Sequence, residues 1–213
     1  MGLFGYWQHT LQSFAVDQVA SEQVFTDLVT AYSTSDRHYH TLEHIDHVLG
    51  TIDTLQTYAQ DLAIVQLAAW FHDVVYNTQA QDNEKKSADY AFNLLSYLGI
   101  PLSNITTIIR LIINTKHHQA ATDDYNSQVL LDADLAILAT NPEDYGKYSR
   151  AIRQEYAWLS ELEYITGRRQ VLERFLRRQR IYYTPLMFEI AEQSARFNLQ
   201  AEIQTLDLIS RYV

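Results

Sequence analysis

Residues 62–75 read LAIVQLAAWFHDVV. The segment is apolar on nearly every face, and a helix of that kind lies at the centre of a fold. The pattern therefore predicts a central helix over 61–76. The pair His72-Asp73 interrupts this segment. A buried aspartate costs several kcal/mol unless it is paired or binds a cation, so something must compensate it.

The rest of the chain has the same helical periodicity. Glycine and proline number only six and three in 213 residues, which argues against sandwiches, barrels and propellers because those folds need frequent turns. The sequence predicts a single all-α domain, a bundle of about eight to ten helices. Besides the central helix, the pattern predicts helices over 22–32, 41–55, 84–98, 102–116, 129–139, 143–164, 168–180 and 186–211.

The composition excludes several classes of protein. The chain has no cysteine, which excludes a disulfide scaffold, a cysteine-ligated zinc site and a thiol nucleophile. Its 47% apolar content is enough for a core. No apolar run approaches the length of a membrane span, and the first residues lack a basic region followed by an apolar stretch. The expectation is a cytoplasmic protein without membrane contact.

Two more segments place polar groups among apolar ones. In LLDADLAIL at 130–138 the two carboxylates point to different sides of a helix, and Asp134 shares a face with the leucines. Asp134 is therefore predicted to point inward, and Asp132 to cap the helix or support the site. His44 lies on the apolar side of its predicted helix. Each group alone fits a structural hydrogen bond, but one shared cation would satisfy all three segments.

Taken together, these segments resemble the HD superfamily of metal-dependent phosphohydrolases. That family has a histidine on one helix, a His-Asp pair on a central helix and a distal aspartate after alanine. The resemblance implies His44, His72, Asp73 and Asp134 as metal ligands. The strings RHYH at 37–40, HDVVY at 72–76 and DNE at 82–84 also resemble one bacterial branch of predicted HD phosphohydrolases, and the likeness covers about residues 28–180. Asp132 remains the alternative to Asp134.

The resemblance also implies an HD-type domain over 1–213. Its metal-site core would lie at about 37–140, and the C-terminal helices 143–213 would pack on it and supply arginines. The implied cofactor is a divalent ion (Mn, Fe, Co, Ni, Zn or Mg), and the implied substrate is a small phosphoester such as a nucleotide. Glu84 is the candidate base for the attacking water, and Asp73 is assigned a catalytic role as well. Candidate substrate-binding histidines are His40, His117 and His118.

Charge is distributed unevenly along the chain. Residues 147–180 hold nine basic and four acidic side chains, a local charge of +5, while the rest of the chain carries −15. A guanidinium matches phosphate in shape, so this stretch is a candidate phosphate site with Arg153, Arg168 and Arg169 as its substrate-binding residues. The alternative is a solvated helix face with local ion pairs.

Other functions stay open at this stage. The string His40-Thr41-Leu42-Glu43-His44 matches the H-x-x-E-H pattern of inverted zinc peptidases, although that function leaves His72-Asp73 unexplained. Some HD proteins that resemble this chain hold two irons and act as oxygenases. A third alternative is a nucleotide-binding module without turnover. The net charge of −10 disfavours nucleic acid as a partner, and a homo-oligomer remains open.

Overall fold

The computed structural model describes residues 2–211 of the chain. Ten α-helices and three short 3₁₀ turns, with no strand, make up this described part, which confirms the all-α prediction. The helices are α1 (Leu3–Thr10), α2 (Gln18–Tyr32), α3 (Leu42–Thr54), α4 (Leu62–Phe71), α5 (Asn83–Tyr97), α6 (Leu102–Thr115), α7 (Tyr125–Asp134), α8 (Pro142–Glu155), α9 (Glu161–Leu176) and α10 (Pro185–Ile209).

The helices form two compact units, Met1–Ala133 and Asp134–Val213. The division falls at the last residue of α7, close to the end of the metal-site core expected from the sequence. The prediction of one domain over the whole chain stays a prediction. Within the described residues, no helix is both long enough and apolar enough to cross a membrane.

In the first unit α4 is the buried element. All of its residues from Ile64 to Phe71 are buried, and α1, α3, α5 and α6 pack around it. Asp61 caps its start by accepting a hydrogen bond from the Ile64 amide at 3.2 Å. An almost wholly apolar helix can be stable only in such surroundings, so the prediction of a central helix in this segment is confirmed.

The predicted end of α4 at residue 76 is wrong, because the helix ends at Phe71. The carbonyls at and beyond this end bond to other groups instead of continuing the helical ladder. The Tyr32 hydroxyl donates to the Trp70 carbonyl at 3.0 Å, and the Ser87 hydroxyl donates to the Val75 carbonyl at 3.2 Å. Arg37 donates to two carbonyls between these, those of Asp73 and Val74. His72 and Asp73 therefore lie at a helix end and in the following turn.

In the second unit the predicted helix over 143–164 is wrong, since α8 ends at Glu155 and α9 begins at Glu161. Ser160 caps α9 in a capping box with Glu163, in which each side chain bonds the other residue's amide. Arg153 donates to the carbonyls of Tyr156 and Leu159 at 3.0 and 3.4 Å, which stabilises the break. The stop expected at Gly167 does not occur there, because this glycine lies inside α9.

The longest helix, α10, packs against α9 and the 3₁₀ turn Leu135–Ala139. Its Asn198 amide donates to the carbonyls of Leu138 and Thr140 at 2.9 and 2.8 Å. These bonds satisfy the end of the turn, which would otherwise bury two carbonyls without partners. The sequence pattern that predicted a helix over 129–139 therefore corresponds to α7 followed by this turn.

Candidate metal centre

The first turn of α3 and the end of α4 bring two buried histidines together. His44 lies in the first turn of α3, and His72 is the C-terminal cap of α4. Their side chains are each 1% exposed, and their Nε2 atoms lie 3.2 Å apart. The segments meet here because Ile45, Val48 and the apolar α4 pack in the same core.

The other nitrogen of His72 determines what its Nε2 can do. Nδ1 lies 2.8 Å from the Ala69 carbonyl oxygen. A carbonyl only accepts hydrogen bonds, so Nδ1 must carry the proton, and in a neutral ring Nε2 then carries a lone pair. Histidines that bind metals are commonly oriented in this way, with the second nitrogen donating to a backbone carbonyl.

One carboxylate oxygen of Asp73 faces three imidazoles. Its Oδ2 lies 3.1 Å from Nε2 of His72, 3.9 Å from that of His44 and 3.8 Å from that of His40. The four residues define what we call the His–Asp cluster. Lone pairs of His72 and Asp73 at 3.1 Å repel each other unless a proton or a cation lies between them. A metal ion would satisfy this convergence.

The separation of the two histidine nitrogens fits a single first-row ion. Two donor atoms bound to one ion at about 2.1 Å are about 3.0 Å apart at an octahedral right angle and about 3.4 Å apart at the tetrahedral angle. The separation of 3.2 Å between the two histidine nitrogens falls in this range. Nitrogen and carboxylate donors suit borderline ions such as Mn²⁺, Fe²⁺, Co²⁺, Ni²⁺ and Zn²⁺, and Mg²⁺ less well.

Helix α7 carries a further carboxylate donor. A ligand atom of Asp134, its last residue, lies within 4.8 Å of ligand atoms of both His44 and His72. Asp132 is fully buried on the same helix and is not part of this group of three. Asp134, the aspartate expected to point inward from its helical face, thus lies near the two histidines. The role of either aspartate as a ligand stays a prediction.

Aromatic rings surround the His–Asp cluster on one side. The His40 ring stacks on Tyr76 with centroids 4.0 Å apart, and the Tyr39 ring lies 4.9 Å from His40 and 4.8 Å from His44. These contacts orient His40, which precedes α3 and belongs to no helix. His40 lies at the cluster, but the structure does not test its predicted role toward substrate.

The other predicted polar residues of the first unit lie on α5 and after α6. Glu84 is in the first turn of α5, and its carboxylate lies 3.8 Å from the Lys116 ammonium. His117 and His118 follow the end of α6, and neither belongs to the group of three donors found among residues 2–211. His118 has φ of 47°, a left-handed conformation that costs about 1–2 kcal/mol for a residue with a side chain. The roles assigned to these three residues stay predictions.

All three predicted phosphate-binding arginines form ion pairs within the second unit. Arg153 pairs with Glu161 at 3.0 Å, and Arg169 pairs with Asp207 at 2.6 Å and Glu173 at 2.9 Å. Arg168 forms a two-pronged pair with Glu202 at 2.8 and 3.0 Å, and both side chains are 7% exposed. A phosphate would have to displace these carboxylates. In the structure these three arginines therefore form the local ion pairs that the sequence left open as an alternative.

The peptidase pattern does not take the form that its chemistry requires. His40 lies in the loop before α3, so His40 and His44 do not share one helix, and Glu43 is exposed.

Comparison with known proteins adds no identification: no family model matches the chain, and no curated protein matches it.

Sequence reasoning assigned no role to one residue beside the cluster. Arg37 is buried at 8% exposure and bonds to the carbonyls of His40 and Asp73. The signal in the sequence was its place in the string RHYH, shortly before α3. Its partners are backbone carbonyls, one nearby and two in the distant turn after α4, which no sequence pattern reveals.

Proposed function

We propose that this protein is a metal-dependent phosphohydrolase that acts on a small phosphoester, with a nucleotide as one candidate. The observation that carries the proposal is the convergence of His44, His72 and Asp73 on one point. Two buried imidazoles and a partly exposed carboxylate, with Asp134 within 4.8 Å of both histidines, are a donor set for one divalent ion. The order of these residues along the chain is that of the HD superfamily, which adds the reaction class.

Each residue of the proposed centre has a separate role. His72, oriented by the Ala69 carbonyl, and His44 present their Nε2 atoms, and Asp73 and Asp134 supply negative charge. A divalent ion held by these residues would lower the pKa of its bound water and would polarise a phosphoryl oxygen. Glu84 is the proposed base for the attacking water, and its pairing with Lys116 orients the carboxylate. His40 is proposed to contact the substrate beside the cluster.

The proposal is tested by phosphate release from purified protein stripped of metal. Mn²⁺, Co²⁺, Ni²⁺ or Mg²⁺ is added in turn with p-nitrophenyl phosphate and with nucleoside mono-, di- and triphosphates. We expect activity that depends on one of these ions and is lost in Asp73→Ala. Asp46→Ala removes an exposed aspartate from α3 and serves as the matched control, which should keep full activity.

Absence of phosphate release with every ion, or equal activity in Asp73→Ala, would refute the proposal. Oxygen uptake by the Fe²⁺-loaded protein would instead support the di-iron oxygenase alternative. Nucleotide binding without turnover would support a binding module.

A further inference from the structure

The segment between α2 and α3 contains a buried arginine that bonds to the backbone on both sides of the His–Asp cluster. Arg37 Nη1 donates to the His40 carbonyl at 2.9 Å and to the Asp73 carbonyl at 2.8 Å. Its Nη2 donates to the Val74 carbonyl at 2.9 Å. One guanidinium thus joins two segments that are more than thirty residues apart in sequence.

Each of these segments supplies a side chain to the cluster. Both hydrogens of Nη1 are used, one for the residue that carries the His40 ring and one for the residue that carries the Asp73 carboxylate. Because the guanidinium is planar and rigid, it fixes the two carbonyls relative to each other. In this arrangement His40 Nε2 lies 3.8 Å from Asp73 Oδ2.

Aromatic contacts connect Arg37 to His40 by a second route. The guanidinium carbon lies 5.7 Å from the centre of the Tyr76 ring, and His40 stacks on the same ring at 4.0 Å. The Tyr32 ring lies 4.9 Å from the guanidinium. The cation is therefore held by carbonyl dipoles and ring faces, which partly replace its lost hydration.

We propose that Arg37 is a positioning residue of the metal centre, which holds the His40 loop and the Asp73 turn in the arrangement that a divalent ion needs. The inference rests on the proposed function, since it concerns the same centre. Groups that orient metal ligands typically contribute roughly 10–100-fold to metal affinity. Lysine keeps the charge, but a single ammonium does not present the planar fork that spans three carbonyls.

The chain offers a matched control. Arg196 on α10 also donates to three backbone carbonyls, those of Leu176, Arg178 and Gln179, at 3.0, 2.8 and 3.2 Å. None of these three residues is a proposed ligand. Arg196→Lys therefore removes the same kind of backbone bonding without touching the His–Asp cluster.

The experiment compares wild type, Arg37→Lys, Arg37→Met and Arg196→Lys. Co²⁺ is titrated into the metal-free proteins and followed by visible absorption, and melting temperatures are recorded without metal. We expect Co²⁺ to bind Arg37→Lys roughly 10–100-fold more weakly than wild type. Arg196→Lys should melt at a lower temperature and still bind Co²⁺ as wild type does. Should Arg37→Met fail to fold, the lysine variant alone decides the result.

Hydrogen exchange in the metal-free protein supplies a readout that a general loss of stability would not produce. The Thr41 amide donates to the Tyr39 carbonyl at 2.8 Å, and the Val75 amide donates to Ser87 Oγ at 3.1 Å. Both amides should exchange faster in Arg37→Lys and at the wild-type rate in Arg196→Lys. An affinity within twofold of wild type, or an equal loss of affinity in both variants, overturns the positioning role. Wild-type protein that binds no Co²⁺ overturns the metal centre itself, and this inference with it.

Discussion

Replacing Arg168 by methionine should destabilise the protein strongly, because it removes one half of a buried ion pair. The guanidinium contacts both carboxylate oxygens of Glu202, and its Nη1 donates to the Tyr148 hydroxyl at 3.2 Å. Glu202 also accepts hydrogen bonds from Tyr145 at 2.5 Å and from Ser149 at 2.9 Å. With both charged side chains 7% exposed, Arg168→Met leaves a carboxylate away from water without its counter-charge.

The expected magnitude follows from this burial. Removing one partner of a buried pair costs roughly 3–5 kcal/mol, which for a chain of this length lowers the melting temperature by roughly 6–20 °C. The double variant Arg168→Met/Glu202→Gln removes both charges and keeps an amide oxygen for the Tyr145 and Ser149 hydroxyls. We expect it to recover at least half of the loss in the free energy of unfolding.

Urea unfolding and thermal melting of wild type, both single variants and the double variant form a complete cycle. A loss below about 1 kcal/mol in Arg168→Met, or a double variant no more stable than that single variant, would refute the reasoning. Phosphate release by the double variant tests function at the same time. If stability returns and activity does not, Arg168 binds substrate as its sequence context first indicated.

The same pair predicts a dependence of stability on pH. Burial alone would raise the pKa of the Glu202 carboxyl, but the hydrogen bonds and charge of Arg168, with the hydroxyls of Tyr145 and Ser149, hold it below its usual value. A carboxyl with a depressed pKa stabilises the fold above its unfolded-state pKa of about 4.3 and loses that contribution as the pH falls through the folded-state value. The stability advantage of wild type over Glu202→Gln should therefore shrink below about pH 4.3, and an unchanged difference down to pH 3 would contradict this assignment.

Three further outcomes are expected. Ser160→Ala breaks the capping box of α9 and should cost about 0.5–2 kcal/mol in urea unfolding, whereas Ser160→Asp should keep most of that stability. Gly99→Ala should cost about 1–2 kcal/mol in the same assay, because φ is +74° there while the space around it is open, so the loss reflects backbone strain. Mn²⁺ at a hundred times its dissociation constant should stabilise wild type by about 2.7 kcal/mol in thermal melts, and an equal gain in His72→Ala would place the ion elsewhere.

Local patterns predicted the helices well where the helices depend on local interactions. The bounds of α5, α6 and α10 lie within a residue or two of those expected from periodicity. The break between α8 and α9 differs from the one expected at Gly167, because the capping box of Ser160 and Glu163 starts α9 at Glu161. A capping box satisfies two backbone amides, whereas a single exposed glycine is tolerated inside a helix at a cost of about 1 kcal/mol. The spacing of Ser160 and Glu163 in the sequence matches this capping box.

The predicted site residues also differ in how much of their surroundings the sequence reveals. His44, His72 and Asp73 were visible in the sequence because they interrupt apolar segments, and their convergence could be inferred from the need to compensate buried polar groups. The ion pair of Arg168 was not visible, since its partner Glu202 comes from another helix that only the tertiary structure brings close.

Arg37 shows why the remaining part of the site was beyond prediction. A side chain that bonds to other side chains leaves a trace in their identities, since an ion pair needs a carboxylate opposite the arginine and a metal site in this chain needs imidazoles or carboxylates. A side chain that bonds to carbonyls leaves no such trace, because every residue has one, and His40, Asp73 and Val74 share nothing else that an arginine would recognise. Sequence patterns therefore reveal the charged and metal-binding side chains of a site more readily than the side chains that hold its backbone in place. Groups that set the backbone around the site become visible only when the hydrogen bonds of each carbonyl are accounted for.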